Sequence, residues 1–210
     1  MPDERSHAVN QPPGVRAYRL LFGVVALIAV VAHYFHVEDP WGNWISTFTV
    51  QGNVLTGVVL VAGALLGANT ITSSTWDKIR GATVMYMVLI FFVYGFLING
   101  FDNPFNTDRH WTHTVLHQLM PLVAVLDAVI RPFVHRLDWR VPLQWMVYPL
   151  LYLAYSLVRG AIVGWYPYDF INPNEVGGYG GVALYCVGIT VAFLAVAVGI
   201  VAISRLSGRT

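Results

Sequence analysis

Charge is what this chain has least of. Asp, Glu, Lys and Arg make up only 11 % of its 210 residues, against roughly 25 % in a soluble domain. So few charges cannot clothe a globule in water, which excludes a soluble enzyme or carrier. The single cysteine, Cys186, rules out a disulfide framework and a cysteine-based zinc site. Inside an apolar run it reads as a small buried hydrophobe. A formal net charge of +1 offers no basic surface to nucleic acid. There is no G-x-S-x-G elbow and no H-E-x-x-H pair, and the run Gly177-Gly178-Tyr179-Gly180-Gly181 lacks the lysine of a phosphate loop.

What is abundant is apolar surface. Residues of the A, V, I, L, M, F, W, Y, C set form 56 % of the chain, which also excludes a disordered protein. Six runs approach the roughly 20 residues that cross a bilayer: about 18–36, 44–67, 82–99, 111–133, 142–164 and 180–203. The expected fold is all-α, a polytopic membrane protein with a bundle of six transmembrane helices. Residues 1–17 are expected as a flexible cytoplasmic tail, 18–204 as the transmembrane domain and 205–210 as a second cytoplasmic tail. The first run is not read as a cleavable signal, because a long polar stretch precedes it and no small-residue cleavage site follows.

The scarce charges are sorted. Arg5, Arg16, Arg19, Lys78, Arg80, Arg131, Arg136, Arg140, Arg205 and Arg209, ten of the twelve basic residues, fall on one side of a six-span arrangement. The opposite connections carry Glu38, Asp39, Asp102, Asp108, Asp169 and Glu175, with Arg109. The positive-inside rule then makes both termini cytoplasmic and the acidic connections external. Trp41, Trp44, Trp111, Trp165, Tyr166 and Tyr168 at one level, with Trp76 and Trp139 at the other, fit interfacial aromatic belts.

Polar side chains inside a span are costly and mark candidate sites. Here they gather at the outward ends: His33 and His36; Ser46, Thr47, Thr49, Gln51 and Asn53; Asn99; His110, Thr112, His113, His117 and Gln118; and Arg159. Thr49 and His117 lie at similar depth and meet if the second and fourth spans pack together. A polar pocket opening to the outer leaflet is expected.

Each residue also has a purely structural reading. Thr49 can bond back to a carbonyl of its own helix. His113 and His117, four apart on one face, can serve water or headgroups, and His33 and His36 can be helix-end residues. Arg159 can pair with Asp102 or Asp169, and Asp127 with Arg131 at i+4. Three chemistries fit the functional reading. A hydroxyl nucleophile with a histidine base and nearby donors suits acyl transfer: Thr49, His117, and Gln51, Asn53 or Arg159. A metal-dependent hydrolase would use His113 and His117, with His33, His36 or Asp108. A haem or lipid-binding protein without catalysis is the third.

Three segments carry a resemblance. Phe48-Thr49-Val50-Gln51-Gly52-Asn53-Val54-Leu55, His117-Gln118-Leu119-Met120-Pro121 with Asp127 beyond it, and Arg159-Gly160 through Gly164-Trp165-Tyr166-Pro167-Tyr168-Asp169-Phe170 resemble motifs that follow in the same order in a known family. The chain resembles the androgen-induced/androgen-dependent membrane protein family and its bacterial six-span relatives. That resemblance implies a threonine hydrolase of fatty acid esters of hydroxy fatty acids, with Thr49 as nucleophile and His117 as base. His113 is the rival base, and Gly52 stands where bacterial members commonly have serine.

The resemblance and the residues together lead to an expected carboxylic ester hydrolase in a bacterial plasma membrane, its site toward the outer leaflet. Gln51, Asn53, Asn99, His113 and Arg159 are expected to bind substrate or the oxyanion, Arg159 anchoring a substrate carboxylate. Tyr94 or Asn99 is expected to orient the base. No cofactor or metal is expected. The expected partner is a lipid ester drawn from the membrane, with no nucleic acid and no soluble protein partner.

Overall fold

The computed structural model describes residues 11–207. Six long helices carry the fold: α1 (Pro13–Val37), α2 (Phe48–Leu65), α3 (Ser74–Ile98), α4 (Trp111–Ile130), α5 (Val141–Val163) and α6 (Tyr179–Ser207). All six contain a stretch long and apolar enough to cross a membrane. The protein is therefore a multi-pass, all-helical membrane protein, and no strand occurs among the described residues.

The first boundary differs from expectation. Pro13 opens α1, a position where the missing N–H costs nothing. Residues 13–17 of the expected tail are thus helical. Gln11 is also held, its Nε2 donating to the Gly63 carbonyl at 2.6 Å. Residues 1–10 of that tail, and 208–210 of the C-terminal one, lie outside the described residues, while 205–207 continue α6. The third span starts at Ser74 rather than near 82, because the Ser73 hydroxyl caps it by accepting from Trp76 N at 3.1 Å. Asp77, Lys78 and Arg80 are therefore helical and not part of a connection.

Small residues set the closest packing. A Cβ on Gly23 of α1 would fall 2.7 Å from Val61 and 3.0 Å from the Gly57 carbonyl of α2, so glycine lets these helices approach as small residues do in lipid. α3 is the central helix, with Met85, Met87, Leu89 and Ile90 buried and neighbours in α2, α4 and α6.

Two prolines inside spans each free a carbonyl, and a side chain from another helix takes it. Pro149 cannot bond Trp145 O, which accepts from Tyr86 Oη at 2.9 Å. Pro121 follows a π-helical stretch, Val115–Leu119, so its missing partner is Leu116 O, five residues back. That oxygen accepts from Asn53 Nδ2 at 3.0 Å.

At the end where α1 and α3 begin, Asp127 of α4 is gripped by two arginines from other helices. Arg19 Nε donates at 2.5 Å and Nη2 at 3.1 Å, while Arg80 Nε and Nη2 donate at 3.0 and 2.9 Å. All three residues are buried. This corrects the expected Asp127–Arg131 pair. A carboxylate this deep needs more than an i+4 neighbour at the helix terminus, and tertiary packing supplies two forks. We call this the basic end, and its opposite the acidic end.

Candidate active site

The polar residues of the acidic end separate into two groups. One is a histidine cluster between α1 and α4. His36 stacks on His110 at a centroid distance of 3.7 Å, and His33 meets His113 edge-on at 4.9 Å. Thr112 Oγ1 lies 3.2 Å from His33 Nδ1 and 2.9 Å from His110 Nδ1. Among the described residues, no three His, Cys, Asp or Glu side chains are placed to share a metal ion.

The second group surrounds Thr49. A cavity lies among α3, α5, α6, the start of α2 and the loop before α6. Its walls are apolar apart from a few hydroxyls, those of Thr49, Tyr94, Tyr152, Tyr168 and Thr190. This corrects the expected polar pocket: the polar atoms are few and stand at the edge of a space shaped for an apolar chain.

Thr49 sits in the first turn of α2, where main-chain N–H groups lack helical partners. Thr47 caps the helix, accepting from Val50 N at 3.4 Å. Two tyrosine hydroxyls crowd the same turn. Phe48 N donates to Tyr168 Oη at 2.9 Å and to Tyr152 Oη at 3.1 Å, and Tyr152 Oη donates onward to Ser46 O at 2.9 Å. Both hydroxyls therefore stand at the residue directly before Thr49. Burial pushes Tyr168 up from the ordinary phenol value, so its hydroxyl keeps its proton and remains a donor.

Several hydroxyls in the spans bond back to carbonyls of their own segment: Ser46 to Gly42, Thr56 to Gly52, Thr83 to Arg80 and Ser204 to Val201. Thr49 makes no such bond among the described residues. The carbonyl four residues before it, Ile45 O, is already taken by Gln51 Nε2 at 2.9 Å. Thr49 is among the residues that line the cavity.

His117 is buried in the π-helical stretch of α4. Its Nδ1 lies 2.9 Å from the His113 carbonyl. A carbonyl only accepts, so Nδ1 carries the proton and Nε2 keeps its lone pair. The expected orienting residues do other work. Tyr94 stacks on the His117 ring at 3.7 Å with its face, and Asn99 donates to Pro104 O at 3.4 Å. Tyr94 lies on a second π-helical stretch, Val93–Ile98, and π-bulges are frequent at functional sites.

No protein-family model, curated protein or solved structure matches this chain.

The remaining expected residues are placed as follows. Gln51 is held on both sides, since its Oε1 accepts from Tyr148 Oη at 2.5 Å and its amide holds Ile45 O. Asn53 donates to Thr49 O at 2.9 Å and to Leu116 O at 3.0 Å. Both N–H groups of the Asn53 amide are thereby used, whereas the Gln51 amide has one further N–H. Asn53 ties the turn of Thr49 to the turn of His117. His113 places its ring between His33 and His117, with its own Nδ1 unpartnered.

Arg159 pairs with no carboxylate among the described residues, contrary to the alternative with Asp102 or Asp169. Its Nη2 donates to Asn43 Oδ1 at 2.6 Å, its guanidinium lies 4.8 Å over the Trp165 ring, and its Nη1 has no partner.

The residues not anticipated as site members are Tyr148, Tyr152 and Tyr168. A signal existed for them. Tyr148 and Tyr152 are spaced by four on one face of α5, beside an intrahelical proline.

Proposed function

We propose that this protein is a membrane lipid ester hydrolase in which Thr49 is the nucleophile and His117 the base. The observation that carries the reading is Thr49, which lines an apolar cavity at a helix N-terminus and makes no side-chain bond back to its own helix among the described residues. The neutral Nε2 of His117, left by the Nδ1 bond to His113 O, and the Asn53 tie between the two turns support it. So does the resemblance of the three segments to a family of threonine hydrolases.

In this reading the acyl chain of the ester occupies the cavity. His117 Nε2 takes the Thr49 proton as Oγ1 attacks the carbonyl carbon, giving a tetrahedral oxyanion. The Tyr168 hydroxyl, beside Thr49 at the start of α2, is the donor to that charge. The intermediate collapses with the alkoxide leaving, and the imidazolium returns the proton to it. Water, deprotonated by His117, then attacks the acyl-threonine and releases the fatty acid.

Arg159 fits a substrate with a distal carboxylate. It lies seven residues beyond Tyr152 on α5, about 10 Å along the axis at a 1.5 Å rise. A carboxylate separated from the ester by several methylenes spans that interval, as in a fatty acid ester of a hydroxy fatty acid. The unpartnered Nη1 is free to receive it. With the basic end in the cytoplasm, by the positive-inside rule, the site works from the outer leaflet.

One observation favours a second reading. His117 is stacked behind Tyr94 and is not itself a cavity-lining residue, which suits a lipid-binding protein without turnover. Incubating the purified protein with a fatty acid ester of a hydroxy fatty acid separates the two. Released fatty acid, abolished by Thr49→Ala, supports the hydrolase, while stoichiometric capture of intact ester supports the carrier.

A further inference from the structure

The basic end holds a second cavity, lined by none of the residues around Thr49. Three arginines line it, Arg19, Arg80 and Arg131, together with Ile130 and Pro132 at the exposed end of α4. The charges there do not balance. Arg19 and Arg80 share the single carboxylate of Asp127. The next acid, Asp77, has Oδ1 3.9 Å from Arg80 Nη1, while its Oδ2 accepts from the amides of Val134 and His135 at 3.0 and 2.8 Å and faces the His135 ring at 3.0 Å. Arg131 is half-buried, and its guanidinium makes no hydrogen bond or ion pair with any described residue. Three guanidinium groups therefore face one cavity with two carboxylates between them.

We propose that this cavity is an anion site of phosphate chemistry. Three arguments converge on it. A partly desolvated guanidinium without a counter-charge is unfavourable, and an anion relieves it. The donors left over, those of Arg131 and Nη1 of Arg80, come from two helix ends and suit an oxyanion with several acceptor oxygens rather than one carboxylate. Two of the carbonyls at this helix end, Asp127 O and Arg131 O, are covered by Arg80 Nη2 at 3.0 and 2.6 Å. Exposed Ile130 and Pro132 at the rim place an apolar surface beside the arginines, as a phospholipid requires. The phosphate of an anionic phospholipid and free inorganic phosphate share this chemistry. The site stands apart from the Thr49 reading and does not depend on it.

The test uses the full-length protein in a neutral detergent. Retention of phosphatidylglycerol and of phosphatidylcholine is measured by native mass spectrometry for the wild type, Arg131→Gln and Arg140→Gln. Arg140 is an exposed cation of the same end that lies outside the cavity, and it controls for general attraction. The wild type and Arg140→Gln retain phosphatidylglycerol preferentially, and Arg131→Gln loses about tenfold in affinity, the worth of one charge-assisted contact.

A parallel titration with inorganic phosphate separates the two sources. Saturable phosphate binding that Arg131→Gln weakens, without a preference between the lipids, assigns the site to free phosphate. Equal retention of the two lipids together with no saturable phosphate binding overturns the proposal, as does an Arg131→Gln protein indistinguishable from Arg140→Gln in both assays.

Discussion

At the basic end, Asp127 is held by both forks of two buried arginines, and Gln11 and Gly63 take further donors of Arg19. At the acidic end, many buried polar atoms have no hydrogen-bond partner: Trp44 Nε1, Asn53 Oδ1, Tyr94 Oη, Asn99 Oδ1, His113 Nδ1, Ser156 Oγ and Arg159 Nη1. Elsewhere among the described residues only Trp76 Nε1 and Asp77 Oδ1 share that condition. An unsatisfied buried polar atom destabilises a fold, so its concentration at one end marks a region where stability is not what the residues serve. One end ties the helices together, and the other sets Thr49 and three tyrosines along an apolar cavity, with His117 stacked behind Tyr94. The contrast makes separable predictions.

The largest effect belongs to the basic end. Asp127→Ala leaves two buried guanidinium groups without their shared anion, and the cost is about 3–5 kcal/mol. Thermal unfolding in detergent checks this, and a melting temperature within error of the wild type would show that the pair does not bear on stability. Next, His117→Gln keeps a side chain of similar reach but removes the base. Ester turnover falls by about 10²–10⁴-fold while the melting temperature stays near the wild-type value. A variant that unfolds instead would move His117 to the structural side of the comparison.

Tyr168→Phe removes one donor beside Thr49 and lowers kcat by about 10²-fold, with KM nearly unchanged. An effect on KM alone would reassign Tyr168 to shaping the cavity. The smallest effect is at Arg159. Arg159→Gln raises KM by about tenfold for an ester bearing a free carboxylate, the worth of one charge-assisted contact, and leaves its methyl ester unaffected. Equal losses on both substrates would remove Arg159 from carboxylate recognition.

The six spans were legible because hydropathy over twenty residues does not depend on how helices pack. Their ends were less so. The third span begins early since Arg80, counted as an outside charge, is neutralised within the bundle by Asp127, a partner forty-seven residues away in sequence. The same long-range pairing hid the true neighbours of Asp127 behind a plausible i+4 arginine. Thr49 and His117 stood out as polar groups in apolar runs.

The tyrosines did not, because an aromatic near a span end reads equally well as interfacial. The π-helical stretches carry no local sequence signature of their own. The clue that was available is proline: Pro121 and Pro149 each require a donor from another helix, and those donors, Asn53 and Tyr86, record which helices meet.

The central claim is that Thr49 forms a covalent acyl intermediate, and one measurement addresses it directly. Purified wild-type protein and Thr49→Ala are compared for hydrolysis of a fatty acid ester of a hydroxy fatty acid and for labelling by a fluorophosphonate probe, with folding verified by thermal unfolding. The account predicts that the folded Thr49→Ala protein loses both hydrolysis and labelling. Hydrolysis and labelling at wild-type levels in that variant would contradict it.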